Sequence, residues 1–226
     1  MSFARSCEFS HALKPALACV ALVFSVSASA EIFGGVEFPG GAASFADSVV
    51  SYNPAFGGGA VPTPTFQDAS QALGAPNIST GTDPAYVSLG AGGRIVLRFT
   101  DNSLTGSGNA NQDLWIFEIG PDVEDTFVDI SKDGTTWFSV GAVTGSTRGI
   151  DIDAFGFGTS DFFSFLRLTD NIGLDATSGV TVGADIDAVG AISSAPPVTT
   201  VPEPATLLLV ASALAAGALR RRNQAR

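Results

Sequence analysis

Asp113-Leu114-Trp115-Ile116-Phe117-Glu118-Ile119 is apolar at successive positions rather than at alternate ones. A strand with one face in water alternates, so a strand apolar on both faces is covered on both and lies in the middle of a sandwich. Working outward, Gly93 to Thr100 sets Ile95, Leu97 and Phe99 against Arg94, Val96 and Arg98, the period-two pattern of a half-buried strand with its arginines outward. Thr126 to Ser131 and Thr135 to Val140 flank Lys132-Asp133-Gly134, and Asp-Gly between two strand-like runs predicts a hairpin. Phe162 to Thr169 and Ala184 to Ile192 add two more strands. From Glu31 to about Gly81 the chain is rich in Gly, Pro, Ala, Ser and Thr, which predicts short edge strands joined by long loops. Helical periodicity is absent before the C-terminal tail. The expected fold class is therefore all-β, an antiparallel β-sandwich over residues 31–193.

Both ends carry signals. Arg5, His11 and Lys14 precede the apolar run Pro15 to Val26, and Ala28-Ser29-Ala30 has the small-residue pattern of a secretory cleavage site. Residues 1–30 thus read as a signal peptide, cut after Ala30. A Pro/Thr linker, 194–201, leads to Pro202-Glu203-Pro204, an apolar run from Ala205 to Leu219, and Arg220-Arg221-Arg222. As a helix that run would span roughly 22 Å, short of a ~30 Å bilayer core, and the arginines would hold its end on the cytoplasmic side. The expectation is a short membrane helix at 205–219 within a tail of 202–226.

Between the two signals, residues 31–201 carry five bases, Arg94, Arg98, Lys132, Arg148 and Arg167, against twenty acids, a net charge of −15. Such a surface repels nucleic acid and anionic lipid and supplies oxygen ligands for hard cations. Both cysteines, Cys7 and Cys19, and the sole histidine, His11, fall in the leader. That excludes disulfides, histidine-ligated zinc, and Ser-His-Asp or Cys-His catalysis from the exported segment.

The tail as a whole, Pro202-Glu203-Pro204 with the apolar run and Arg220 to Arg222, closely resembles the PEP-CTERM sorting signal of Gram-negative bacteria that make exopolysaccharide. The resemblance implies recognition by an exosortase, removal of the tail, and a cell-surface or extracellular destination after transient anchoring in the inner membrane. The membrane would be a partner only through the tail before processing. A second resemblance rests on Gln71 to Asn77, Val87 to Gly93, Asp113 to Glu118, Ser131 to Trp137 and Gly183 to Gly190. In order and spacing these segments look like a galactose-binding-like, or discoidin-like, jelly roll over residues 66–192. That implies eight strands, often a structural calcium ion, sometimes a sugar site, and no catalysis.

One phrase occurs twice, Asp151-Ile152-Asp153-Ala154-Phe155-Gly156 and Asp185-Ile186-Asp187-Ala188-Val189-Gly190. On a strand each copy would set two carboxylates on one face about 6.6 Å apart, with its isoleucine on the other. Two readings stand: a solvated face over core isoleucines, or a contribution to a calcium site. The jelly-roll resemblance implies a site joining the loop Asp68 to Asn77 to the last strand through Asp187. Trp137 after the hairpin reads as core or as a sugar-stacking platform. Glu118, with Glu124 or an aspartate, would be the acid pair of a glycoside hydrolase, and an ion pair from Glu118 to Arg94 or Arg98 is the plainer alternative. The expected function is a non-catalytic surface or matrix protein associated with exopolysaccharide. The alternatives are a calcium-dependent carbohydrate-binding module and, third, a glycoside hydrolase.

Overall fold

Inward and outward residues alternate so regularly that the sheets can be read from their register. The computed structural model describes residues 29–77, 84–120, 124–173 and 178–197. Its strands are β1 (Glu31–Phe33), β2 (Val36–Phe38), β3 (Ser48–Asn53), β4 (Val87–Ser88), β5 (Arg94–Arg98), β6 (Ser103–Leu104), β7 (Leu114–Glu118), β8 (Asp125–Ser131), β9 (Phe138–Thr144), β10 (Arg148–Ile150), β11 (Phe165–Asp170), β12 (Asp185–Ala191) and β13 (Ser194–Ala195). A five-stranded sheet runs β3-β5-β11-β8-β9 and a four-stranded sheet runs β10-β7-β12-β4. All their pairings are antiparallel. From β3 to β12 the chain changes sheet at each step except the β8–β9 hairpin, which is the winding of a jelly roll.

Ile95, Leu97, Val128, Ile130, Leu166 and Leu168 of the larger sheet meet Leu114, Ile116, Ile186 and Val189 of the smaller one. All ten are at most 1% exposed, and each contributes roughly 1.5–3 kcal/mol by leaving water. The strand that decided the fold, β7, lies between β10 and β12. Its second face is covered too, because Phe38, Phe45, Phe117 and Ala188 form a separate buried cluster with Phe33, Val36 and Trp115 packed against it. The cover is the N-terminal hairpin β1–β2, turned at Gly34 (φ 55°) and Gly35 (φ 83°). Two consecutive positive φ values make the mirror-image turn whose twist suits a hairpin.

Three expectations are corrected. First, β9 begins at Phe138 rather than Thr135. The Asp133 carboxylate accepts the amides of Thr135 and Thr136 at 2.8 and 2.7 Å, which keeps those residues in the turn. Second, the first Asp-Ile-Asp copy is not on a strand: Asp151 accepts the amide of Asp153 at 2.9 Å and opens a 3-10 turn, Asp153–Phe155. Third, the membrane helix expected at 205–219 is withdrawn. No helix among the described residues is long and apolar enough to cross a membrane, a fifteen-residue apolar run is shorter than the ~20 residues a crossing needs, and the run itself lies outside the described residues. The tail as a membrane partner and the transient inner-membrane anchoring go with it. The signal peptide also falls outside the described residues, apart from Ser29 and Ala30.

Candidate functional site

Where β7 begins and β10 ends, three carboxylates converge. The main chain holds Asp113 on both sides, since its amide donates to the carbonyl of Ile150 at 2.9 Å and its carbonyl accepts the amide of Ile192 at 2.7 Å. Its side chain is wholly buried. Oδ2 accepts the amide of Ile152 at 3.0 Å, whereas Oδ1 is buried with no partner at hydrogen-bond geometry among the described residues. Asp151 accepts the amides of Asp153 and Ala154 through Oδ1. Asp153 turns toward the loop after β6, where Oδ2 accepts the amides of Ser107 and Gly108 at 2.8 and 3.1 Å. Gly106 makes that approach possible, because a Cβ there would lie 2.8 Å from Asp153 Oδ2 and 2.2 Å from the carbonyl of Phe157.

One oxygen from each of Asp113, Asp151 and Asp153 lies within 4.8 Å of the others. Two calcium–oxygen bonds of ~2.4 Å span about that distance, so the three can share one hard cation. Burial pushes the Asp113 carboxyl up, opposed by Ser193, the Ile152 amide and Ser107, and the Asp153 charge adds to the push. A divalent cation would relieve the repulsion and give Asp113 Oδ1 the partner it lacks. Neither ion pair Lys132–Asp161 (2.7 Å) nor Arg167–Asp129 (2.9 Å) involves these acids. The donor set is all oxygen, which suits calcium and not zinc.

The second copy is built differently. Asp187 is 1% exposed rather than solvated, because the register shifts between Ile186 and Ala188 and re-aims the side chain. Both its oxygens accept the amide of Asn77 at 3.2 Å, so the loop and the last long strand do meet. Asp68 takes no part in that contact among its hydrogen bonds: it caps the 3-10 turn Ala69–Ala72 through Ser70 and Gln71. Asp185 accepts the hydroxyl of Ser88, and burial pushes its carboxyl up to about 6 against that bond. Ile152 and Ile186 are both core, fully buried. Among the described residues the carboxylate trio within ligand distance therefore joins Asp151 and Asp153 to Asp113, not to Asp68, Asp185 or Asp187. Sequence reading missed Asp113, which looked like the polar start of an apolar strand. Its one signal was an acid at the head of a strand buried on both faces.

Trp137 is half-buried, and the guanidinium of Arg167 sits 4.4 Å from its ring centroid. One face of the indole is thus taken by a cation that also pairs with Asp129. Glu118 is buried opposite Ile186 in the four-stranded sheet. Arg94 and Arg98 belong to the other sheet, on its outer face, so the expected ion pair with Glu118 does not form.

The strand order and the buried acids define a jelly-roll-like antiparallel module without a histidine or cysteine from residue 31 onward. The PEP-CTERM protein-sorting motif matches residues 200–222, so the chain carries the signal for exosortase-mediated sorting to the cell surface. That span holds Pro202, Glu203, Pro204, Arg220, Arg221 and Arg222 and lies outside the described residues. No curated protein matches the chain. Among solved structures, the C-terminal domain of a chitobiase from Bacteroides fragilis is 15% identical, with 64% of this chain and 93% of that chain covered and a TM-score of 0.33. CpGH89CBM32-6, produced by Clostridium perfringens, is 10% identical, with 66% and 92% covered and a TM-score of 0.34. At these scores neither likeness bears on what this chain does.

Proposed function

We propose that the sandwich is a non-catalytic structural or adhesive component of the exopolysaccharide-bearing cell surface, braced by one calcium ion at Asp113, Asp151 and Asp153. One observation carries the reading: four carboxylates of the sandwich hold main-chain amides of distant loops. Asp113 holds Ile152, Asp153 holds Ser107 and Gly108, Asp187 holds Asn77, and Asp170 holds Gly92 and Ala184 at 2.8 and 2.9 Å. Acids so engaged fix loops. A glycosidase pair instead flanks a sugar, with its carboxyl groups ~5–9.5 Å apart and free to exchange protons. The alternative of a sugar-binding module centred on Trp137 is disfavoured by the Arg167 guanidinium already lying on that ring.

Cell fractionation tests the placement: the chain is expected in the surface fraction, and a chain ending before residue 200 is expected to be lost from it. Finding both chains equally in the surface fraction would overturn the sorted-component reading. Thermal unfolding in calcium and then in chelator tests the brace, and an unchanged midpoint would remove the ion from the proposal.

A further inference from the structure

The outer face of the five-stranded sheet concentrates the few cations this acidic chain has. On β5, Arg94 and Arg98 point outward, since Ile95 and Leu97 between and beside them are fully buried. Arg167 of β11 stands opposite Val96, between the two in register, with Asp129 of β8 on its other side. Three of the five bases between residues 31 and 201 therefore share one flat surface.

Each guanidinium lies against an aromatic ring. Arg94 Cζ is 3.6 Å from the centroid of Phe56, Arg167 is 4.4 Å from Trp137, and Arg98 is 5.3 Å from Phe165. Such stacking restricts a long side chain without using its in-plane N–H donors. Arg167 directs its donors at Asp129. Arg94 donates through Nε to the hydroxyl of Thr169 at 2.9 Å, and among the described residues neither Arg94 nor Arg98 has a carboxylate within ion-pair distance. In a segment with four acids for every base, two arginines outside any ion pair among the described residues, on one face of one strand and held against rings, can each take a carboxylate brought by something else, the Asp129 charge acting on Arg94 only from beyond ion-pair distance.

We propose that this face, through Arg94 and Arg98 beside Arg167, holds a carboxylate-bearing polysaccharide. The proposal rests on the surface-component reading and names its partner class. Arg94 and Arg98 are four residues apart on one strand, about 13 Å, a spacing for discrete anionic groups along an extended polymer. A nucleic acid carries a charge every ~1.7 Å, far denser than the spacing of these two guanidinium groups. Phe127 and Phe56, 46% and 50% exposed on or beside the same surface, add apolar area on which pyranose faces can lie.

Retention of the purified exported chain on immobilised polygalacturonate, in calcium-free buffer, tests this, with dextran as the neutral polymer. The expected result is retention on polygalacturonate alone, weakened by salt and reduced roughly tenfold in Arg94→Gln/Arg98→Gln. Arg98→Lys, which keeps the charge, is expected to restore part of it, and Arg148→Gln, off this face, to change nothing. Unchanged thermal midpoints show that these variants are folded. Equal retention on dextran, equal retention of the double variant, or no retention on polygalacturonate would each overturn the proposal. None of these outcomes moves the chain out of the surface fraction, whereas failure of the surface-component reading would.

Discussion

The amide of Ile152 donates to Oδ2 of Asp113 at 3.0 Å, so one buried carboxyl group connects the head of β7 to the turn that leaves β10. The other oxygen of the same group has no partner at hydrogen-bond geometry among the described residues. Asp113→Asn keeps an acceptor for Ile152 and removes the charge. The unsubstituted chain is expected to gain about 2.7 kcal/mol at a calcium concentration one hundred times its dissociation constant, or about 5–10 °C in midpoint. Asp113→Asn is expected to gain nothing and to melt in chelator no lower than the parent. An equal calcium response in both would place the ion elsewhere.

Asp185 gives the fold a pH dependence of unusual sign. Burial raises its carboxyl from the ordinary 3.8 to about 6, so the folded chain holds this proton more tightly than the unfolded chain does. Its stabilising effect is complete below about 3.8 and is lost as pH rises through about 6, on the order of 3 kcal/mol in all. Asp113, pushed the same way by burial, adds to the slope when calcium is absent. Urea midpoints in chelator are therefore expected to be higher at pH 4.5 than at pH 7.5. Asp185→Asn should flatten most of that difference, and an unaltered slope in the variant would show that Asp185 is not its source.

The glycines that end the two Asp-Ile-Asp copies have unrelated roles. Gly190 lets two rings rest on β12, for a Cβ there would come within 2.6 Å of Phe38 and 2.8 Å of Phe45. Gly156 closes the 3-10 turn at φ 88° with open space around it. Gly190→Ala is expected to cost about 1–3 kcal/mol by overpacking. Gly156→Ala should cost about 1–2 kcal/mol from backbone strain alone. Denaturant midpoints separate the causes, because only the first should be eased by also shortening a ring, as in Phe38→Leu.

Removing the Trp137 ring takes away the surface under Arg167. Trp137→Ala is expected to lower stability by roughly 0.5–2 kcal/mol and to leave any affinity for neutral sugars where it was. A loss of neutral-sugar binding in that variant would restore Trp137 as a platform.

Much of the sandwich was legible because its strands bury opposite amounts on their two faces. Gly93 to Thr100 could be read residue by residue, since a one-residue slip would have placed Arg94 and Arg98 in the core. That β7 is covered on both faces was legible, but what covers Phe117 was not, because Phe33, Phe38 and Phe45 lie in a glycine-rich stretch that read only as short edge strands joined by long loops. The repeat was legible as a phrase but not as two structures. Identical Asp-Ile-Asp words became a 3-10 turn in one place, just past the end of the β7–β10 pairing, and a bulged strand in the other, where β7 and β4 pair with it on both sides. Asp113 was hidden for a related reason: its companions lie some forty residues on, and the β7–β10 pairing alone brings them together.

The position of β12 also sets an order of events. It lies between β7 and β4, and of the nine strands in the two large sheets it is the last in the chain. A chain that emerges amino end first, as every chain does in synthesis, has already delivered the hairpin β1–β2, but Ala188 and Gly190, part of the seat for Phe38 and Phe45, arrive only with β12. Residue 191 ends that strand and the sorting motif begins at 200. Closure of the domain therefore waits for a strand that ends within ten positions of the sorting motif, so the last long strand and the address emerge almost together.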